Sequence, residues 1–235
     1  MLPIVWIPGH LCGPWLYAQQ LGIFGGARET ILADTLRDDD LGAMAERLLA
    51  GAPERFVVAG LSMGGMVAME VLARAPGRVA GAVLMDTDPS RARAKEIEWR
   101  GGLLDRAERE GLDAYVGTFV HRFYMHDQAV AGRLEAMTRR LMGETPLAVA
   151  RAQARALDRR REMVPLIAGY DGPVEVIVGA EDKICPPLLH GPIAAALPGA
   201  VHTEIPGCGH LATLEAPEPV NARIAALLER VEASR

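Results

Sequence analysis

The feature that most constrains the fold is an apolar run followed at once by a serine between glycines. Residues 55–61 read Arg-Phe-Val-Val-Ala-Gly-Leu, and Gly60-Leu61-Ser62-Met63-Gly64-Gly65 then opens a segment, 62–75, that is apolar at helical spacing. A continuously apolar strand suits a sheet that is buried on both faces. A serine between such a strand and a helix sits on a sharp turn, and the glycines leave room for the backbone to lift its hydroxyl above the sheet. The pattern predicts a buried sheet with Ser62 as a candidate nucleophile at its edge.

Further apolar runs repeat this strand-and-helix rhythm. They predict strands at 2–7, 29–36, 79–86, 174–179 and 200–205, and helices at 41–49 and 217–231 in addition to 62–75. Asp38-Asp39-Asp40 stands before the helix at 41–49, where carboxylates cap free N–H groups. Strands that alternate with helices form parallel sheets, so the predicted fold class is α/β, with a mostly parallel sheet flanked by helices.

Residues 89–167 interrupt the rhythm. This stretch has no convincing strand and is rich in Arg, Glu, Ala and Leu at helical spacing. We therefore expect a core domain made of residues 1–88 and 168–235, and an inserted helical cap, residues 89–167, over the carboxyl edge of the sheet.

The predicted cap is basic on an acidic body. Residues 89–165 hold 15 Lys and Arg against 11 Asp and Glu, whereas the whole chain has a net charge of −5. Arg151, Arg155 and Arg159 recur every four residues and would share one stripe of a helix, next to Arg160. The simpler interpretation is a solvated helix face. The alternative is a docking surface for an acidic partner such as an acyl-carrier protein, because rim charges speed association.

Composition and charge limit the other functional classes. A chain of 235 residues with 50% hydrophobic and 23% charged residues is typical of a globular domain, and its negative net charge argues against a nucleic-acid partner. No apolar run is long enough to span a bilayer, and the short apolar N-terminus lacks the basic leader of a signal peptide. Cys12, Cys185 and Cys208 are odd in number and widely spaced, which favours reduced thiols over a disulfide framework or a metal site. We expect a cytoplasmic protein without membrane contact, metal or organic cofactor.

Two later strand ends supply partners for Ser62. The run Gly207-Cys208-Gly209-His210-Leu211 follows the strand at 200–205, and its glycines allow a loop that carries His210, the candidate general base, towards the serine. The run Val178-Gly179-Ala180-Glu181-Asp182 ends the strand at 174–179. Asp182 would accept the Nδ1–H of the histidine and fix its tautomer.

Three other carboxylates compete for the role of the acid. Asp86 and Asp88 follow the strand at 79–86, and Glu181 directly precedes Asp182. Position at the strand end and order along the chain favour Asp182 over Asp86, and Asp86 over Glu181.

The first strand ends in Ile7-Pro8-Gly9-His10, and this turn is the candidate oxyanion site. The backbone N–H of His10 and that of Met63, the residue after the serine, would stabilise negative charge on a carbonyl oxygen. We expect the His10 side chain to line the substrate pocket. Further candidates for the pocket wall are Leu11, Trp15 and Leu211, although core packing is the simpler interpretation for Trp15.

On these motifs the chain resembles the α/β-hydrolases, in particular small carboxylesterases, pimeloyl-carrier methyl ester esterases and enol-lactonases. The resemblance covers nearly the whole chain outside the predicted cap. It rests on Pro8-Gly9-His10, on residues 60–65, on Gly179 and Asp182 followed by Pro186, and on Gly209-His210 followed by Glu215 and Pro217. The order serine, aspartate, histidine is also that of the family. The resemblance implies a serine hydrolase that cleaves a small-molecule carboxylic ester through an acyl-enzyme. Many relatives have His-Gly where Pro8-Gly9 stands, so hydrogen bonds from that histidine side chain are missing here.

The same framework leaves other activities open. A thioesterase or an acyl-carrier methyl ester esterase would use an identical triad with a different leaving group, and carbon–carbon hydrolases and cofactor-free perhydrolases share the framework too. A receptor that binds a small ligand without turnover is the alternative of a different class, because a fold does not determine a function. The remaining histidines have no ligand spacing and are expected to be structural or surface residues: His121, His126, His190 and His202.

Overall fold

Six parallel strands form a single sheet in the computed structural model, which describes residues 1–119, 126 and 128–234. The strands are β1 (Ile4–Ile7), β2 (Thr30–Leu32), β3 (Phe56–Leu61), β4 (Val79–Met85), β5 (Val174–Gly179) and β6 (Ala200–Ile205). They lie in the order β2-β1-β3-β4-β5-β6, and every neighbouring pair is parallel.

Helices cover both faces of this sheet. They are α1 (Ala18–Phe24), α2 (Leu41–Gly51), α3 (Met63–Arg74), α4 (Ala94–Glu110), α5 (Leu112–Phe119), α6 (Gln128–Gly143), α7 (Leu147–Asp158), α8 (Val164–Ile167), α9 (His190–Ala196), α10 (Ala212–Glu215) and α11 (Pro217–Ala233). Short 3-10 helices occupy Pro14–Tyr17, Pro76–Arg78 and Pro187–Leu189. The α/β fold class predicted from the sequence is therefore confirmed. Among the helices of the described residues, none combines the length and the apolar character needed to cross a membrane.

Two apolar clusters form the core, one on each face of the sheet. Along β1, Ile4 and Trp6 belong to the cluster that includes residues of α1 and α11, whereas Val5 and Ile7 belong to the cluster with residues of α2, α3 and α9. Successive side chains of a strand point to opposite faces, so a strand that is covered on both sides must be apolar at every position. This is why the central strands read as continuous apolar runs.

The ends of the elements follow the sequence patterns to within two residues except at β2. The strand predicted at 29–36 pairs only from Thr30, opposite Ile4, to Leu32, opposite Trp6. It is one of the two edge strands, with a single neighbour and half-buried residues, and it pairs only along the short strand β1. The predicted cap of α2 is confirmed, because the Asp40 carboxylate accepts a hydrogen bond from the N–H of Ala43 at 3.0 Å.

The strand order places a crevice between β1 and β3. The chain runs from β1 outward to β2 and then returns on the other side of β1 as β3. Connections that leave neighbouring strands in opposite directions open a gap at the carboxyl ends, where ligands bind in open α/β sheets. Ile7 pairs with Gly60, and Leu61 pairs with Met85, so β1, β3 and β4 end at one level. The residues that follow these three strands therefore begin side by side.

Residues 89–167, which we call the helical segment, connect β4 to β5. In the part that the structure describes, this segment forms α4 to α8 and no strand. An ion-pair network joins its helices to the end of β4. Glu96 binds Arg100 and Arg160, each at 2.7 Å, and Arg160 also binds Asp88 at 3.1 Å.

The arginines predicted to form an exposed basic stripe are paired within the chain. Arg151 lies 2.6 Å from a glutamate of α4, and Arg155 and Arg159 share the carboxylate of Asp39 at 2.9 and 3.4 Å. Arg160 is only 7% exposed, so its prediction as a surface residue is wrong. Helix α7 ends just before Arg160, and this residue therefore leaves the helix face that carries the other three.

Candidate active site

Ser62 occupies the turn from β3 to α3. Its backbone has φ 59° and ψ −120°, a conformation that residues with a side chain rarely adopt. A methyl group on Gly60 would overlap the carbonyl of Gly64, and one on Gly64 would overlap the carbonyl of Ile7. The two glycines are thus required by close backbone approach, and the strained turn between them presents the half-buried serine at the crevice.

His210 reaches Ser62 from the loop that follows β6. Its Nε2 lies 2.9 Å from Ser62 Oγ. The backbone N–H of Gly209 donates to the Glu215 carboxylate at 2.7 Å, which ties this loop to α10. His210 is 2% exposed, so packing holds its ring while the Nε2 edge meets the serine.

Asp182 holds the other side of the imidazole. Its Oδ2 lies 2.8 Å from His210 Nδ1, and its Oδ1 accepts hydrogen bonds from the N–H groups of Ile184 and Cys185 at 2.8 and 2.9 Å. Burial by itself raises the pKa of Asp182, but the neighbouring His210 and these hydrogen bonds outweigh it and bring the pKa below its ordinary 3.8. An ionised Asp182 keeps the imidazole proton on Nδ1, and the lone pair of Nε2 is then turned to the Ser62 hydroxyl.

Asp86, the alternative candidate for the acid, does not contact the imidazole of His210 but binds backbone N–H groups. Its Oδ1 accepts the N–H of Gly179 at 2.9 Å and its Oδ2 that of Ala212 at 3.4 Å, so it links the ends of β4, β5 and α10. Burial raises the pKa of Asp86 well above its ordinary value, and the charge of Asp182 adds to this effect. The carboxylate that contacts the imidazole is Asp182, and Glu181 is exposed.

The two predicted oxyanion donors lie at the same crevice. Within the described residues, no acceptor takes the backbone N–H of His10 or of Met63. Met63 opens α3, and the N–H groups of a first helical turn favour negative charge. Leu11 has φ 57°, and its N–H donates to the side-chain oxygen of Gln153 at 2.9 Å, so α7 holds the turn after β1. The catalytic role of these two amides stays a prediction.

A cavity of about 710 Å³ opens onto Ser62 and His210. Its volume is typical of sites for small molecules. The sheet side contributes His10, Ser62, Met66, Asp88, Lys183, Ile184, Cys185 and His210 to the lining. The helical segment contributes Arg93, Ala94, Lys95, Glu96, Trp99, Arg100, Tyr115, Leu157 and Arg160.

The prediction that Leu11, Trp15 and Leu211 form the pocket wall is wrong, because none of them lines this cavity. Leu11 and Leu211 are each 1% exposed and belong to the core cluster beside α1 and α11, and Trp15 packs against that cluster. Leu11 and Leu211 directly follow His10 and His210, which do line the cavity. The backbone turns between the two members of each pair, so the leucine points into the core while the histidine faces the cavity.

The imidazole of His10 lines the cavity, as predicted. Its Nε2 lies 2.8 Å from the hydroxyl of Tyr115, which comes from α5. Burial, reinforced by the positive charge of Arg100, lowers the pKa of His10 to about 3, so the ring is neutral at pH 7. This contact ties the helical segment to the turn that carries the candidate oxyanion donor.

Sequence reasoning missed the cavity residues of the helical segment, above all Tyr115, Trp99 and Arg160. They carry no motif, and helical spacing identifies a face without saying what that face meets. The buried and paired state of Arg160 cannot be seen in the sequence either, because its partner Glu96 comes from α4 and its partner Asp88 from the loop after β4, both far from it in the chain.

Three potential metal ligands come together among the described residues. The ligand atoms of Asp182, Cys185 and His210 all lie within 4.8 Å of one another. Burial, together with nearby carboxylates, raises the pKa of the Cys185 thiol well above its ordinary value, whereas the thiolate is the form that binds a metal. A metal would also have to replace the hydrogen bond between Asp182 and His210, so the set fits an Asp-His pair better than a metal centre. Cys12, Cys185 and Cys208 are all buried and unpaired.

Among the described residues, none of the remaining histidines lines the cavity. His190 is buried, and its Nε2 accepts the N–H of Thr87 at 2.9 Å, which is a structural role. His126 and His202 are exposed. His121 lies outside the described residues.

The sequence profile of the alpha/beta hydrolase family matches residues 7–223. The chain therefore belongs to this family and is a hydrolase by class. Its fold agrees with that of a thermophilic esterase from Thermogutta terrifontis, with a TM-score of 0.87 at 24% identity over 98% of this chain and 90% of that one. The enol-lactonase from Burkholderia xenovorans LB400 also has a TM-score of 0.87, at 19% identity over 97% of this chain and 91% of that one.

Relatives in sequence carry two kinds of name. BpoC from Mycobacterium tuberculosis, assigned as a non-heme bromoperoxidase, is 30% identical over 222 residues, which cover 89% of this chain and 78% of BpoC. A pimeloyl-[acyl-carrier protein] methyl ester esterase from Aromatoleum aromaticum is 28% identical over 202 residues, 77% of each chain. The resemblance to carrier methyl ester esterases and enol-lactonases that the motifs indicated is confirmed.

Proposed function

We propose that the protein is a carboxylesterase in which Ser62, His210 and Asp182 act as a catalytic triad. The observation that carries this proposal is the unbroken hydrogen-bond chain at the cavity. It runs from Ser62 Oγ to His210 Nε2 over 2.9 Å, and from His210 Nδ1 to Asp182 over 2.8 Å. A nucleophile and its base need this separation for proton transfer.

The reaction begins when the carbonyl carbon of an ester meets Ser62 Oγ. His210 Nε2 accepts the hydroxyl proton as Oγ attacks, and the Asp182 carboxylate stabilises the imidazolium that forms. The tetrahedral intermediate collapses when His210 returns this proton to the leaving alcohol oxygen, which leaves an acyl ester on Ser62. Water then attacks the acyl-enzyme with His210 again as base, and the acid is released. These steps use only residues of the chain and water.

The N–H groups of His10 and Met63 bind the oxyanion in this scheme. Each donor of this kind contributes about 10²- to 10³-fold in kcat. Both donors are backbone groups, so their positions depend on the turns after β1 and β3 and not on side-chain identity. The hydrogen bond from Leu11 N–H to Gln153 supports the first of these turns.

We also propose that the helical segment, residues 89–167, acts as a cap on a core made of residues 1–88 and 168–235. The support is that this segment supplies one side of the cavity lining, from Arg93 to Arg160, while Ser62 and His210 lie on the other. A cap of this kind excludes water from the reacting groups and selects the acyl chain.

Turnover of short p-nitrophenyl esters tests the esterase proposal. Release of many equivalents of p-nitrophenol per chain supports an esterase, whereas binding or a single slow acylation supports a ligand receptor on the same fold. A fluorophosphonate probe locates the nucleophile, because the chain has only two other serines, Ser90 and Ser234. The probe should label Ser62 in the wild type and in the control Ser90→Ala, and should not label Ser62→Ala. Labelling at Ser90 or Ser234 would contradict the assignment.

An acyl-carrier methyl ester esterase is the second candidate, favoured by the relative from Aromatoleum aromaticum. The triad would be the same, with a carrier docked at the cavity mouth. The ion pairs of Arg151, Arg155 and Arg159 leave less positive charge for an acidic carrier than the sequence predicts. A carrier-linked methyl ester should lose kcat/KM steeply with added salt while the free methyl ester does not, since exposed charges are screened. An equal response of the two substrates favours the simple esterase.

A further inference from the structure

The two lysines of this chain share one cavity. Lys and Arg together number 25, yet only Lys95 and Lys183 are lysines. Both line the cavity at Ser62, Lys95 from α4 of the helical segment and Lys183 from the loop directly after Asp182. Both are also exposed to solvent, which places them at the cavity mouth. Two distant parts of the chain thus bring the same residue type to the entrance of one site.

The other charged groups of the lining already have partners. Arg100 and Arg160 bind Glu96, and Arg160 also binds Asp88. Arg93 lies 3.8 Å from both of these carboxylates. Within the described part of the chain, neither lysine forms an ion pair. Since the lining holds five basic and two acidic residues, the positive charge that remains unpaired is concentrated at the two lysines.

We infer that Lys95 and Lys183 bind a carboxylate that the substrate carries apart from its reacting ester. The substrate class is then the monoester of a dicarboxylic acid. This inference rests on the proposed esterase function. A lysine places a compact charge on a flexible stem, which suits a mobile anion at an entrance, whereas the forked guanidinium suits the fixed pairs deeper in the network. Trp99, Leu157 and Ile184 supply apolar walls for the carbon chain between the two ends of such a substrate.

The expected preference is moderate because both lysines are exposed. An exposed ion pair alters an equilibrium by about two- to fivefold, so the two lysines together should favour the anionic substrate roughly tenfold. At about 1 M salt the Debye length falls to about 3 Å, and the preference should largely disappear.

Matched ester pairs test the inference. Monomethyl esters of the straight-chain diacids from succinate to suberate are each paired with the methyl ester of the monocarboxylic acid of equal carbon number. In Lys95→Gln/Lys183→Gln, the ratio of kcat/KM for the anionic over the neutral ester should fall about tenfold at the best chain length. Arg109→Gln is the control, because Arg109 is exposed on α4 outside the lining. Its loss removes one positive charge, as each of the two lysine substitutions does. An unchanged ratio in the double variant, or an equal fall in Arg109→Gln, would overturn the inference.

A binding measurement tests the lysine site independently of the proposed esterase activity. Calorimetric titration of the same half-esters into Ser62→Ala protein requires no turnover. Adding Lys95→Gln and Lys183→Gln to this protein should raise the Kd of the half-ester about tenfold, and an equal Kd would overturn the lysine site. If the wild type hydrolysed neither ester while this difference in Kd persisted, the esterase proposal would fail and the anion site would stand.

Discussion

The sheet core and the helical segment of this hydrolase hold their polar groups in different ways. In the core, carboxylates at the strand ends are tied to backbone N–H groups, as Asp182 is to Ile184 and Cys185. In the helical segment, long side chains pair with one another, and Arg160 binds both Glu96 and Asp88. A hydrogen bond between His10 and Tyr115, and one from the Leu11 N–H to Gln153, connect the two regions near Ser62.

The two ways of holding polar groups suit different functions. A carboxylate held by backbone turns has one position, and a proton relay needs its members within hydrogen-bond reach. The buried ion pairs of the helical segment hold its helices to the core, and they lie in the wall of the cavity and not at the reacting groups. We therefore expect substitutions in the core to change the rate of the chemical step, and substitutions in the helical segment to change stability or selectivity.

The largest effect is expected at Ser62, the proposed nucleophile. Ser62→Ala should lower kcat for a p-nitrophenyl ester by about 10⁶-fold, as expected when a triad serine is removed. Tyr115→Phe, on the helical segment, should lower it by less than tenfold, because the hydrogen bond that it removes is to His10 in the cavity wall and not to the Ser62-His210 pair. Steady-state kinetics with both proteins checks this contrast. Comparable losses in the two variants would mean that the chemistry is not confined to the core.

Substitution of the two buried carboxylates of the core, Asp182 and Asp86, should lower kcat to different extents. Asp182→Asn should lower kcat by about 10⁴-fold, since the histidine would lose the partner that fixes its tautomer. Asp86→Asn should cost far less in kcat, because Asp86 joins loops and does not contact the imidazole. Circular dichroism should verify that both variants are folded before their rates are compared. A reversed ranking would move the role of the acid to Asp86.

Within the helical segment, buried and exposed ion pairs can be compared directly. Arg160→Met should lower the free energy of unfolding by about 3 kcal/mol, because it removes the partner at 3.1 Å from the buried Asp88, whose other arginine, Arg93, lies 3.8 Å away. Arg155→Met removes an exposed pair with Asp39 and should leave the free energy of unfolding nearly unchanged, because water screens this pair. Urea unfolding of both variants measures the difference. Equal costs would show that the Arg160 network does not hold the segment to the core.

A pH-dependent effect on stability is expected at His190. Burial lowers the pKa of His190 from its ordinary 6.5 to about 4. Below pH 6.5 this histidine is therefore protonated in the unfolded chain but stays neutral in the folded protein. The free energy of unfolding then falls by up to about 1.4 kcal/mol per pH unit towards pH 4. His190→Gln keeps an acceptor for the N–H of Thr87 but does not titrate. The stability advantage of the wild type over this variant should be constant from pH 7 to 8 and shrink from pH 6.5 to 4. A constant difference over the whole range would contradict the assignment.

Local patterns were sufficient for the fold and for the residues that come together at the crevice. The strands Val174–Gly179 and Ala200–Ile205 have the bounds that their apolar runs predict. Parallel strands end at one edge of a sheet, so residues placed directly after them meet there without further information. Glycines mark the positions where two backbones approach too closely for a side chain, as at Gly60 and Gly64. The sequence by itself therefore determined the α/β fold, the place of Ser62 and the strand end that carries Asp182.

Only the tertiary structure decided what surrounds these residues. His10 and Tyr115 are 105 positions apart, and Ser62 and His210 are 148 positions apart, yet each pair is within hydrogen-bond distance. A helical period identifies which residues share a face but not which element that face meets, and for this reason the sequence predicted Arg160 on the surface. Leu11 failed as a pocket residue for a related reason, since one backbone turn separates a side chain in the cavity from its neighbour in the core. Such contacts depend on the relative placement of elements that are far apart in the chain, and no local pattern encodes that placement.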